Sequence, residues 1–123
     1  MTRRIDRPAH DIFGALSGSA PSNADNDDNV RLLATVIGSC LGVRLEGHYS
    51  DYLNGVYYDH KSQSAGSIRI LNNVTDDDPE DAVYTDFPEY AVLVEVRGHP
   101  AQDEVRERLV GLGLTHLRRT PAS

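Results

Sequence analysis

The chain has 123 residues, with 19 Asp and Glu against 12 Lys and Arg, a formal net charge of −7, and no Trp. That balance argues against a nucleic-acid partner, which calls for clustered cations on a polyphosphate backbone. No apolar run approaches the roughly 20 residues that span a bilayer, and no apolar segment follows the basic start "MTRRIDRPAH", so neither a membrane partner nor a secretory signal is expected. A single cysteine, Cys40, has no partner in the chain for a disulfide, and a cytoplasmic location is expected.

In chain order, "RPAHDIFGALSG" reads as a short helix with Pro8 in its first turn and Ile12, Phe13 and Leu16 as its apolar residues. The following "SGSAPSNADNDDN" has nothing to bury and reads as a loop, so residues 1–26 form a flexible or partly helical N-terminal segment and 27–123 a single domain. Asp27 or Asp28 caps a helix over about 29–41, with Val30, Leu33, Ala34, Ile37 and Leu41 on one face and Gly42 as its stop. Cys40 packs there as a small hydrophobe, with no activating group near it in the sequence.

Three strands follow, "VRLEGHY", "GVYYDHK" and "SIRIL", the first two joined by an Asn54-Gly55 turn signal. Residues 90–97 form the strongest strand: Val92, Val94 and Val96 share one face while Ala91 and Leu93 make the other apolar, the pattern of a central strand. "HPAQDEVRERLVGLG" is a helix with Pro100 at its first position and Val105, Leu109 and Leu112 on one stripe; "LTHLRR" closes as an edge strand. Strand, helix and strand in succession predict a crossover with the last two strands paired in parallel. The expected fold is α+β, a mixed sheet of about five strands with helices packed against it.

Between the third and fourth strands lies the most unusual stretch. From Asn72 to Glu89 the chain carries Asp76, Asp77, Asp78, Glu80, Asp81, Asp86 and Glu89 without one Lys or Arg. An EF-hand loop started at Asp76 has Asp81 where Gly is required and Phe87 where Glu is required; one started at Asp25 has Val30 and Val36 there. Neither is a calcium loop, and no metal or cofactor is expected. The stretch is then solvated surface, a face for a basic partner or, as a third reading, a looser cation site. Beside it stands "HYSDYLNGVYYD", whose Tyr49, Tyr52, Tyr57 and Tyr58 are four of the six tyrosines, with Asp51 among them. Tyr in strands is ordinary β-packing, yet Tyr with Asp on a hairpin also suits recognition. Side chains alternate along a strand, so at most one of Tyr57 and Tyr58 faces a partner.

His48 and His60, with Asp51 and Asp59, keep a small enzyme or metal-binding protein open as an alternative, although neither H-x-x-x-H nor C-x-x-C spacing supports a zinc site. No G-x-S-x-G is present, and the glycines of "GLGL" follow a helix rather than open one, so they do not cradle a phosphate. A structural adaptor subunit is the third reading.

Tyr49 to Tyr58, as Y-x-x-Y-L-x-G-x-Y-Y, then the acidic gap, "DFPEYAVLV" from Asp86 to Val94 and the C-terminal helix together resemble small bacterial immunity proteins of polymorphic or contact-dependent growth inhibition toxin systems. The resemblance spans about residues 41–117. It implies function by binding, with no catalytic residue: one chain blocks one toxin domain, often a basic nuclease. The implied contact set is Asp76, Asp77, Asp78, Glu80, Asp81, Asp86, Glu89, Asp51, Tyr52, Tyr57 and Tyr58.

Overall fold

The structure, a computed structural model, describes residues 9–17, 23–50, 55–62, 66–73, 84, 86–87 and 90–120. Its elements are β1 (His10–Ser17), α1 (Asn23–Leu41), β2 (Glu46–Ser50), β3 (Gly55–Ser62), β4 (Gly66–Asn72), β5 (Tyr90–Arg97), α2 (Gln102–Gly111) and β6 (Thr115–Thr120). Among the described residues six strands form one sheet in the order β2-β3-β4-β5-β1-β6, and α1 and α2 pack against it, an α+β fold. Among the described residues no helix is long and apolar enough to cross a membrane.

Two expectations about the sheet change. The "DIFGAL" segment is not a helix but β1, paired with β5 on one side and β6 on the other. Ile12 and Phe13 point to opposite faces and are both buried, which only an extended chain between two strands allows. Gly14 sits inside that strand because the Tyr90 ring lies over it; a Cβ there would come within 2.3 Å of the ring. The second change follows from the first. β1 separates β5 from β6, so those two strands run parallel without pairing, and every ladder in the sheet is antiparallel rather than mixed.

α1 starts at Asn23, earlier than expected, so Asp27 and Asp28 lie inside the helix rather than at its cap. Its Val30, Ala34 and Ile37 are buried against Ile68, Ile70, Val92 and Val94, with Leu33 and Leu41 at the margin, and Gly42 ends it at φ 70. In α2, Val105 and Leu109 are buried as the stripe predicts, but Leu112 falls beyond the helix end and is exposed. Pro100 precedes the Ala101 N-cap, which makes no side-chain capping bond. Gln102 ties the start of α2 down instead: its Oε1 accepts from the His99 N–H at 3.0 Å and its Nε2 donates to Asp11 and to the Val96 carbonyl, both at 2.9 Å.

β5 is central, as its two apolar faces predict. Val94 belongs to the large cluster under the helices, Leu93 to a smaller one on the other face with Ile12 and Leu71, and both are fully buried.

Candidate functional site

The face of the sheet turned away from the helices, here called the open face, and the β4–β5 connection are built together. β4 and β5 are antiparallel neighbours, so the connection leaves at Asn72 and returns at Tyr90 on the same end of the sheet. Asn73, fully buried, fastens its two ends. Its Nδ2 lies 2.8 Å from the Phe87 carbonyl and 3.1 Å from that of Tyr90, while its Oδ1 accepts from the Tyr84 N–H at 2.7 Å. One amide side chain thereby replaces the ladder bonds that the departing chain gives up. Tyr84 and Phe87 then pack on the open-face cluster of Ile12, Leu71 and Leu93, and Arg118 sits over both rings at 5.9 and 5.3 Å.

Glu95 anchors the same connection from beneath. Its side chain is 5% exposed and meets Arg69 at 2.5 Å, His10 at 3.1 Å and the Tyr84 hydroxyl at 2.5 Å. Burial alone would raise its pKa, but the hydrogen bonds from His10 and Tyr84 and the Arg69 guanidinium outweigh burial and hold it at about 2. The Tyr84 phenol moves the other way, to about 12, through burial and its bond to the Glu95 carboxylate. On the helix side of β1, Asp11 is the matching hub. It accepts from Arg119 twice at 2.8 Å, from Gln102 at 2.9 Å, and lies 2.8 Å from His116. Those bonds overcome its burial and lower it to about 2. Arg119 also reaches Asp103, and the bonds to Asp11 and Asp103 raise its own pKa.

Of the contact set read from the sequence, Asp51, Tyr52, Asp76, Asp77, Asp78, Glu80, Asp81 and Glu89 lie outside the described residues. Asp86 is exposed and paired with Arg118 at 3.0 Å. Tyr57 and Tyr58 take opposite faces, as alternation requires. Tyr57 is partly buried on the open face with His48 stacked on it at 5.2 Å, whereas Tyr58 packs into the helix-side core and so leaves the open face to Tyr57. Ser50 pairs with Gly55 at the same end of the sheet where Asn72 and Tyr90 bound the acidic connection, so the chain flanking 51–54 and that flanking 73–89 are brought to one edge.

The residues of the enzyme alternative are only partly assembled. His48 and Asp59 meet at 2.9 Å on the open face. His60 alternates away and lies with Nδ1 3.2 Å from the Arg44 carbonyl. Among the described residues no three His, Cys, Asp or Glu side chains converge in a way that could hold a metal ion.

Sequence reasoning missed Asn73, Glu95, Arg69, His10 and Asp11. Glu95 did leave a signal: it is the one charge in a run otherwise apolar on both faces, a position where a carboxylate needs partners. The chain matches no family model, no curated protein and no solved structure.

Proposed function

We propose that this chain works by binding, as an immunity protein that neutralises a cognate bacterial toxin domain in the cytoplasm. The partner is a basic domain of nuclease type, and the acidic connection from Asp76 to Glu89, with Tyr57 beside it, covers its active site or substrate surface. The observation that carries this reading is the Asn73 clamp: a segment with seven carboxylates and no cation is tied at its base by hydrogen bonds to one buried amide side chain.

The physics supports such a use. An anchored base lowers the ordering cost when the connection meets a partner. A surface that binds phosphates is positive, and an acidic partner is steered towards it and competes with substrate. Among the described residues Asp86 is held only by an exposed pair with Arg118, a type worth about 0–1 kcal/mol, so it is available for exchange onto a partner cation.

The test is co-production in bacteria with the C-terminal domain of the polypeptide encoded immediately upstream. Growth arrest by that domain, relieved by this chain and no longer relieved after charge reversal at Asp76, Asp77, Asp78, Glu80 and Asp81, is the expected result. Arrest that persists with the intact chain sinks the proposal.

A further inference from the structure

The open face carries a second feature, away from the acidic connection. Lys61 pairs with Ser67, and Ser67 with Arg97, so the three stand in one cross-strand row. Neighbouring strands lie about 4.8 Å apart, which leaves the two cations roughly 10 Å apart at the backbone with a small hydroxyl residue between them. With Arg69 and Glu95 from the next row they line a groove of about 170 Å³.

The backbone beneath this row is closely packed. Gly66, at φ 69, packs so closely on the end of β5 that a Cβ would lie 2.2 Å from the Arg97 carbonyl oxygen. The next N–H, that of Gly98, donates to the Ala9 carbonyl at 2.9 Å.

The groove also has donors to spare. Both Glu95 oxygens are engaged by Arg69, His10 and Tyr84. Asp59 spends one oxygen on His48, and its other is 3.8 Å from Lys61, whose side chain is 79% exposed. Among the described residues Arg97 meets no carboxylate at ion-pair distance. Three cations against two carboxylates leave the groove locally positive in a chain of net charge −7.

The geometry points to an oxyanion site in which Lys61, Ser67 and Arg97 receive a single phosphoryl group. An ammonium, a guanidinium fork and a hydroxyl offer more donors than the two oxygens of a carboxylate use, and they suit a tetrahedral anion. The small local surplus of charge excludes a nucleic-acid strand, whose binding requires several phosphates to be neutralised at once. What fits is one isolated group, either free phosphate or a phosphoryl carried on a small organic body.

The experiment is an NMR titration of the isotope-labelled full chain with inorganic phosphate and, separately, with O-phosphoserine, at constant ionic strength set by chloride. The amides of Ser67 and Arg97 and the Arg97 Nε–H are expected to shift on one saturable curve, with a dissociation constant of about 1–10 mM for a solvent-facing anion site. Arg97→Gln should weaken it about tenfold by removing the guanidinium fork. Saturation by O-phosphoserine alone supports a carried group, and saturation by both supports the bare phosphoryl as the ligand. Shifts that grow linearly or match those of chloride overturn the site, as does an Arg97→Gln chain that titrates like the parent. Lys61→Gln, at an exposed side chain, provides the same test if the Arg97 variant perturbs the whole spectrum.

Discussion

The two faces of the sheet use the same device for different ends. His10 and Asp11 are adjacent on β1 and point to opposite sides, and each enters a charged cluster with a buried carboxylate. On the helix side, Asp11 draws its partners from β6 and α2, elements that are already hydrogen bonded. On the open face, Glu95 draws one partner, Tyr84, from the acidic connection. Losing Asp11 should therefore loosen the framework, and losing Glu95 should release the connection. The same chemistry braces the framework on one face and holds Tyr84 of the connection on the other.

The largest effect should come from the apolar layers under both hubs. Leu93→Ala and Val94→Ala remove fully buried atoms from opposite faces, and each should cost roughly 2–4 kcal/mol in urea unfolding. A Leu93→Ala cost below about 0.5 kcal/mol would mean that the open face is wet and has no core of its own.

Neutralising the hubs comes next, at about 2–3 kcal/mol each from their lowered pKa values. Asp11→Asn and Glu95→Gln should lose similar stability but differ in hydrogen exchange. Only Glu95→Gln should speed exchange at Tyr84 and Phe87 ahead of global unfolding; equal acceleration in both variants would erase the distinction between the faces.

Acid should reproduce both losses together. Folding lowers both carboxyl pKa values to about 2, so the unfolded chain binds protons first as pH falls. The stabilisation is complete above about pH 4.5 and disappears between there and about pH 2. Chemical unfolding along a pH series should show that slope in the parent and roughly half of it in either single variant. An unchanged slope in both would remove the hubs as its source.

The smallest effect is expected at the connection itself. Reversing Asp76, Asp77, Asp78, Glu80 and Asp81 one at a time should each change stability by no more than about 0.5 kcal/mol. Thermal unfolding checks this, and a larger loss at any position would make that carboxylate part of the framework rather than of a partner surface.

The sequence made most of this architecture legible through local pattern. Residues 90–97 read as a central strand because both of their faces are apolar, and the α1 face and the Gly42 stop read from helical spacing. What stayed hidden was non-local. "DIFGAL" has helical spacing at Ile12, Phe13 and Leu16, and nothing in its own composition reveals that β5 and β6 lie on either side of it. The hubs were hidden for the same reason. His10, Arg69, Tyr84 and Glu95 are ordinary residues until antiparallel registers bring them together, and Asn73 reads as one more polar residue at the start of a loop. The acidic character of 72–89 was plain, but the anchoring at its ends was not.

The place of β1 also governs how the chain can fold. Its contacts are among the longest in the molecule: Asp11 and Arg119 are 108 residues apart, and His10 lies opposite Thr120. β2, β3, β4 and β5 can zip together as successive neighbours, but the slot for β1 is not bounded on both sides until β6 exists. Closing so long a loop carries its entropy cost before any contact repays it, so docking of β1 is expected to be a slow step. Pairing with β5 and packing of Ile12 on Leu93 and of Phe13 on Val94 can precede the arrival of β6, so what Thr115–Thr120 adds is the second ladder of β1.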